Sequence, residues 1–413
     1  MSRRLLSLEE ATDIIRQYYV PKQTGIEKVQ LQSAYGRVLA EDIISPINVP
    51  PFDRSTVDGY AVQASSTFGA EEDNPITLSL LGRISAGQVS RVVVKPKTAV
   101  GIATGAPLPV GADAVVMLEY TTVLTDKVKI YRPVAPRENV LHAGSDVKAK
   151  EVVLKKAQYL GSRELGVLAA IGMPAVNVYA KPKVSILSTG GELVYPGTPL
   201  EPGKIYDINQ SALVASVIEC GCEPIPLGIV PDNPRGMKLA LKKALIAADV
   251  VITSGATSAG AEDIMPQLLN ELGKPGVIVW GLATKPGKPT TVAVVNGKPV
   301  FALPGHPTSA LTIFLLLVRP FLLQAACLQP KQPMIIRARM AAKVFSAAGR
   351  TTFIPVKIVY GGEGENIAQP IPPESGAITT LALADGFVIV PSNVQFIEQG
   401  EMVEVNLLST WIR

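Results

Sequence analysis

Between residues 183 and 327 the chain alternates strand-length and helix-length apolar segments. That alternation restricts the fold more than any other feature. Val184–Ser188, Glu223–Val230 and Asp249–Gly255 read as strands. Asn209–Cys220, Pro234–Ile246 and Asp263–Gly273 read as helices, the second opened by Pro234 and the third ended by Gly273. Thr291–Val295 and Lys298–Leu303 flank Asn296-Gly297, a strong hairpin signal, and a long helix follows Pro307. Repeated βαβ patterning predicts a mostly parallel sheet with helices on both faces. In such sheets ligands lie beyond the carboxyl ends of the strands.

With 413 residues the chain is too long for one ordinary domain, and about three or four are expected. Residues 1–49 read as a helix near 7–19, a linker and a second helix-like patch, Leu31–Ile43. Ser7 and Glu10 are spaced as a capping box for the first helix. Residues 50–144 are punctuated by Pro and Gly between short β-like runs and form a β-rich domain. Val152–Gly172 returns to helix-like spacing, with Gly172 as its stop. It is expected to pack on the N-terminal helices, which makes the β-rich domain an insertion. Residues 328–413 are β-like and predict a small barrel or sandwich. The chain is therefore an α/β multidomain protein with four parts: 1–49 plus 145–178, 50–144, 179–327 and 328–413.

Composition removes several classes. Hydrophobic residues make up 47% and charged ones 18%, so cores are easily filled and global disorder is excluded. Net charge is only +4 and aromatic content 5%, with no Lys/Arg stripe among aromatics, so no nucleic-acid partner is expected. Three cysteines (Cys220, Cys222, Cys327) and two histidines (His142, His306) disfavour a disulfide network and a structural zinc. A reducing cytoplasm fits. The N-terminus lacks a signal-peptide pattern. The apolar run Leu311–Val318 stops at Arg319-Pro320, too short for a bilayer, and reads as a buried helix.

Three loops carry the chemistry: Ser254–Asp263, Lys285–Pro289 and Leu303–Ala310. They are built of small, bent or cationic residues, as anion sites are. Gly255 and Gly260 free the backbone to present N–H groups, Ser258 carries a hydroxyl, and Asp263 is either an N-cap or a metal ligand. Lys285 and Lys288 sit in a loop stiffened by Pro and Gly, which reads as a solvated basic turn or as an anion clamp. Pro304 and Gly305 open a helix whose free N–H groups favour anions. His306 there reads more readily as a surface or packing residue. Glu192, Asp207 and Asp232 fall at strand ends or helix starts. Capping is the default for the aspartates. With Asp263, these acids are able to place Mg²⁺ against phosphate oxygens. A phosphorylated or nucleotide-linked small molecule is the expected ligand. No nucleophile elbow, Walker A loop or zinc spacing is present.

The ordered set of motifs resembles the molybdopterin molybdenumtransferases, the MoeA/gephyrin E-domain family. It comprises PPFDRSTVDGYAV (50–62), TGAPLPVGADAVVMLE (104–119), HAGSDV (142–147), STGGELV (188–194), KIYDINQ (204–210), GCEPIPLGIVPDN (221–233), DVVITSGATSAGAEDI (249–264), KPGKP (285–289) and LPGHPTSA (303–310). The resemblance implies an elongated four-domain homodimer with a molybdopterin-binding α/β domain and a C-terminal β-barrel. It implies a reaction that cleaves adenylated molybdopterin, places molybdate on its dithiolene and releases AMP, with Mg²⁺. Asp58 and Thr104 would come from the partner subunit's second domain, and Asp146 matches the acidic position of the G-x-D motif. Glu192, Asp232 and Asp263 match positions tied to cation, substrate and turnover. Ser254, Gly255, Ser258, Gly260, Lys285, Lys288, Pro304 and Gly305 fall at substrate-binding positions. Arg350 sits where the family has an oxyanion-contacting arginine, and Thr380 aligns with a serine. A molybdopterin adenylyltransferase and downstream cofactor-processing enzymes or molybdoenzymes are the implied partners, with no membrane.

Five positions depart from the family pattern: Gly191 replaces an acid, SGATS replaces SGGVS at two positions, LPGHP replaces LPGNP, and Gly281 stands where a lysine is common. Molybdate and tungstate match in size and charge, so the residues do not separate them. Two other readings are an adenylyltransferase-like enzyme, against which the extra domains argue, and a molybdopterin-binding scaffold without turnover, which Gly191 favours.

Overall fold

Ser7 opens helix α1 (Leu8–Tyr18). Its Oγ accepts from the Glu10 amide at 3.1 Å, and the Glu10 carboxylate accepts from the Ser7 amide at 2.9 Å. This is the expected capping box, and it satisfies two amides that a helix start leaves unpaired. The computed structural model describes residues 4–231, 233–255, 264–329, 334–361, 364–371 and 378–408. They fall into two units, Met1–Glu27 with Tyr179–Arg413, and Lys28–Val178.

In the first unit, after α1, come β1 (Lys183–Thr189), α2 (Asn209–Glu219), β2 (Glu223–Val230), α3 (Pro234–Ala247), β3 (Val250–Ser254), α4 (Ile264–Leu272) and β4 (Pro275–Trp280). These are followed by β5 (Thr284–Lys285), β6 (Thr291–Val295), β7 (Lys298–Leu303) and α5 (Pro307–Ile313). The central sheet has the order β2-β1-β3-β7-β6-β4. The first four strands are parallel, and β6 and β4 reverse direction in turn. Val295 pairs with Lys298 across the predicted Asn296-Gly297 hairpin.

Strand alternation decides which helix covers which face. Val184, Ile186, Val250, Ile252, Phe301 and Leu303 face one side. There they share a core with Ala11 and Ile15 of α1, Leu213 and Val217 of α2, and Phe314 and Phe321. Leu187, Val251, Val300 and Ala302 face the other side and pack on Met237 and Leu241 of α3 and Met265 and Leu269 of α4. Each fully buried side chain of this size contributes about 1.5–3 kcal/mol by leaving water.

The helix formed by the apolar run 311–318 continues past Pro320. A π-turn, Phe314–Val318, follows α5 and leads directly into α6 (Arg319–Ala325), with Pro320 in its first turn. A widened turn and an N-terminal position both tolerate a missing proline N–H. The helical path Pro307–Ala325 has the length and composition of a membrane span. Here Phe314, Leu317, Val318, Phe321 and Leu322 fill the domain core instead.

The chain then forms β8 (Ile335–Met340), β9 (Thr351–Tyr360), β10 (Asn366–Pro370), helix α7 (Ile378–Leu383), β11 (Gly386–Val390) and β12 (Met402–Leu407). The order is β5-β9-β10-β8-β12-β11, and β11 pairs back to β9. That pairing closes the predicted barrel. The strand β5, which belongs in sequence to the α/β domain, adds to the barrel on the outside of β9: Thr284 pairs with Thr351 and Lys285 with Thr352.

In the second unit a six-stranded sheet has the order Ala114–Met117, Gly59–Val62, Thr98–Ile102, Ile76–Ile84, Lys127–Ile130, Thr121–Leu124. Its two faces carry separate cores, one around Tyr60, Val116 and Val128 and the other around Ala61, Val100 and Val115. A third core joins the segments on either side of 50–144. Leu39 and Ile43 pack there with Leu154, Leu160, Leu168 and Ile171.

Two expectations need correction. The patch Leu31–Ile43 is a 3₁₀ turn (Leu31–Ser33) and a coil that leads into the short strand Ile43–Ile44. Val152–Leu154 is a strand antiparallel to Ile43–Ile44, and only Ser162–Ala170 is helical. β-Branched Val152 and Val153 favour extension, and Gly161, whose amide donates to Glu164, sets the helix start. The apolar stripe Ala11 and Ile15 places α1 in the α/β core, while residues from 28 onward stay with the second unit.

Candidate active site

Along β1 and β3 the inward stripe reads Val184, Ile186, Ser188 and Val250, Ile252, Ser254, with Ser188 paired to Ser254. The apolar core thus ends in hydroxyls at the carboxyl edge of the sheet. Asn209, the first residue of α2, lies over this edge. Its Nδ2 donates to Ser254 Oγ at 2.6 Å and to the Gly305 carbonyl at 2.7 Å. Ser254 Oγ donates to the Pro304 carbonyl at 3.2 Å, and Thr189 Oγ1 donates to the Ser254 carbonyl at 3.2 Å. One buried network therefore ties together the ends of β1, β3 and β7 and the start of α2.

Gly255 leaves β3 with φ +98°, and a Cβ there would collide with the Thr189 carbonyl. Its amide donates to the Leu303 carbonyl at 3.2 Å. A Cβ built on Gly305 would lie 3.6 Å from Gly255 Cα, so two bare backbones approach each other. Above them is a cleft of about 930 Å³, at the upper end of the range for small-molecule sites. Its walls include Glu192, Asp207, Asn209, Ser254, Gly255, Pro304, Gly305 and His306.

Asp207 is a cap, as its position predicts: Oδ1 accepts from the Gln210 amide at 3.1 Å. Glu192 is exposed at the cleft wall, and its carboxylate folds over Gly190, where a Cβ would come within 2.7 Å of Oε2. Gly191 faces open space, so an acid fits there and the departure from the family pattern is not steric. Asp232, Ser258, Gly260 and Asp263 lie outside the described residues.

The Lys285–Pro289 loop forms the rim. Pro289 lines the cleft, and Lys285 and Lys288 are exposed, with no ion-pair partner among the described residues. The loop is held at two points. Gly287, at φ +106°, lies so close to Ile313 of α5 that a side chain would clash. The β5–β9 ladder holds the other end, and it brings Arg350, immediately before β9, to the same strand junction as Lys285. Thr380 is 5% exposed on α7, a helix packed on α5 and β9, so its side chain is part of the packing under this junction.

Three of the quoted motifs converge in the second unit. The Thr104 amide donates to Asp58 Oδ1 at 3.0 Å, and both residues are exposed. Gly105 donates to the Ser55 carbonyl at 2.8 Å, and Asp146, also exposed, donates its amide to the Val49 carbonyl at 3.0 Å. Asp53 accepts from the Ala143 amide at 2.7 Å, and its other oxygen lies 3.2 Å from His142 Nδ1. The Ala143 amide first, and His142 beside it, hold the Asp53 carboxyl below the usual carboxylate range. A depressed folded pKa adds stability above the unfolded value of about 3.9, and that stability is lost as pH falls through the folded pKa. Acidification is therefore expected to loosen the Ala143 loop, and Asp53→Asn to remove this part of the acid response. Carboxyl titration by NMR checks it; an Asp53 midpoint at or above the ordinary value would contradict the assignment.

The cysteines take no part in the site. All three are free, and burial pushes the Cys220 and Cys222 thiols up to about 12.

Family models match along the chain: MoeA N-terminal region (domain I and II) over residues 6–172, a probable molybdopterin binding domain over 185–324, and MoeA C-terminal region (domain IV) over 337–408. The molybdopterin molybdenumtransferase of Bacillus subtilis is 35% identical over 98% of this chain and 95% of its own. The chain belongs to the MoeA family. Another relative, the molybdopterin molybdenumtransferase of Haemophilus influenzae, is 39% identical over 84% of this chain and 85% of its own. Among solved structures, a molybdopterin biosynthesis MoeA protein from Pyrococcus horikosii superposes with a TM-score of 0.83 at 42% identity, covering 99% of this chain and all (100%) of that one.

Asn209 was not among the sequence candidates, although it organises the cleft floor. Its signal was the change from apolar to hydroxyl at Ser188 and Ser254, which marks where the two strands leave the core.

Proposed function

We propose that this chain is a molybdopterin molybdenumtransferase of molybdenum cofactor biosynthesis, acting on adenylated molybdopterin and molybdate and releasing AMP. The observation that carries this reading is the cleft itself. A floor of hydroxyls and bare glycine backbone meets the loop that contributes Pro289 to the wall, and that loop carries Lys285 and Lys288, both exposed and without ion-pair partners among the described residues. Such a site suits a ligand that is both polar and anionic.

The roles follow from charge and position. Gly255 and Gly305 leave room for a phosphate or oxyanion to approach the backbone closely. The lysines and Arg350 neutralise the molybdate dianion and the negative charge that gathers on the departing AMP phosphate, as preorganised donors do. The donor set is hard oxygen, which suits Mg²⁺: Glu192 is an exposed carboxylate with no ion-pair partner among the described residues. Glu192, Asp232 and Asp263 would hold the ion. When bound, Mg²⁺ polarises the phosphoryl group. The reading also carries a homodimer in which Asp58 and Thr104 serve the second copy's cleft, and a molybdopterin adenylyltransferase as supplier of the substrate.

The test is AMP release from adenylated molybdopterin with Mg²⁺ present, with molybdate or tungstate supplied and omitted. Oxyanion-stimulated release with metal appearing on the pterin is expected, and the stronger stimulant identifies the preferred oxyanion. Tight binding without release under every cation tried would overturn the transferase reading in favour of a scaffold.

A further inference from the structure

Among the described residues, three polar atoms in the wall of the cleft have no hydrogen-bond partner: Ser188 Oγ, Asp207 Oδ2 and Asn209 Oδ1. All three residues line the same cleft, and they are 1%, 2% and 9% exposed. Buried polar atoms in folded proteins almost always have partners, so atoms left over at a binding cleft call for a ligand. The rest of each aspartate or amide group is already committed. Asp207 Oδ1 accepts from the Gln210 amide. Asn209 Nδ2 donates to the Gly305 carbonyl, which only accepts, so the orientation of the amide is fixed and Oδ1 is turned away from it. Ser188 and Asn209 meet through Ser254, which pairs with Ser188 on the adjacent strand and whose Oγ accepts from Asn209, and Asp207, two residues before Asn209, lines the same cleft.

We infer that these atoms read a 2-amino-4-oxopyrimidine edge, the edge a pterin carries. Asp207 and Asn209 accept from its ring N–H and amino group, and the Ser188 hydroxyl donates to its carbonyl oxygen. The inference rests on the molybdopterin reading above and assigns residues for the pterin end of that substrate. Two acceptors and a hydroxyl match two adjacent donors and an acceptor. Adenine presents an amino donor beside a ring acceptor and would leave one buried oxygen unmet. A divalent cation takes about six oxygen ligands, and no group of three His, Cys, Asp or Glu residues converges among the described residues. Guanine carries the same edge as a pterin, so the experiment separates the two.

The test measures binding of 6-hydroxymethylpterin, GMP and AMP to the full chain by calorimetry. The variants are Asp207→Asn and Asp207→Ser. Both keep an oxygen able to cap Gln210, and segment-resolved hydrogen exchange checks that the α/β domain of each folds. The pterin Kd is expected to rise about 10- to 100-fold in both, the effect of losing a buried bond to a charged acceptor, while the AMP Kd stays within about twofold. Equal pterin binding by wild type and both variants would overturn the inference and leave the transferase reading standing. GMP binding that is tighter than pterin binding and depends on Asp207 would keep the edge recognition and overturn the pterin as its source. A wild-type chain that binds no pterin also overturns it, and the AMP-release assay then decides whether the proposed function falls too.

Discussion

Lys285→Ala is expected to lower turnover by about 10²- to 10³-fold, the size seen when one charge-stabilising donor is removed from a preorganised site. The side chain is exposed, so the change creates no cavity and strands no buried charge. The backbone of residues 284–285 stays in its ladder with Thr351 and Thr352, because alanine makes the same main-chain bonds. Melting temperature should therefore hold while kcat falls and the molybdate requirement rises. Lys285→Arg keeps the charge and changes its shape and reach, so partial recovery is expected. Lys288→Ala serves as the neighbouring control. Normal turnover in both alanine variants would remove the rim from the reaction.

Phe301→Ala is expected to cost about 3–5 kcal/mol, the range for deleting a buried aromatic ring. Phe301 is completely buried (0% exposed) in the core shared by α1, α2 and the helix after Pro307, with its ring centroid 6.1 Å from that of Phe321. The cavity would open beneath β7, whose end carries Pro304 and Gly305. The loss should appear first as faster hydrogen exchange in β3 and β7, and only then as weaker ligand binding at the cleft. Because the chain forms two units, one melting temperature is not a clean measure, and segment-resolved exchange is the better readout. Unchanged exchange in both strands would show that the core collapses around the gap.

The α/β domain was legible in the sequence because its elements satisfy local rules. Ser7 and Glu10 capped α1, Pro234 opened α3, and Asn296-Gly297 turned a hairpin. The second unit was less so. Leu31–Ile43 and Val152–Gly172 have apolar residues at helical spacing, yet the end of the first and the start of the second pair with each other as strands distant in sequence, and no local pattern records such pairing. The placement of α1 was hidden for the same reason, since Ala11 and Ile15 announce an apolar face but not the surface that receives it. Of the site, the motifs named the rim and the glycine turns. KIYDINQ (204–210) contains Asn209 but gives it no role, because its importance comes from a bond to Ser254, 45 residues further along the chain. The motifs also gave no sign that Thr380 would be buried under the lysine–arginine junction.

The splice of β5 onto β9 makes the two domains a single heritable unit. Because side chains alternate along a strand, a one-residue slip of β9 against Thr284 and Lys285 would turn the β9 side chains to the opposite faces and displace Arg350 along the ladder relative to Lys285, without altering a residue of the α/β domain. Swapping in a barrel from a relative, or trimming the chain after the α/β domain, would leave every rim motif spelled correctly and aimed wrongly. Substitutions that tune the rim should therefore arise in pairs, one on each side of that ladder.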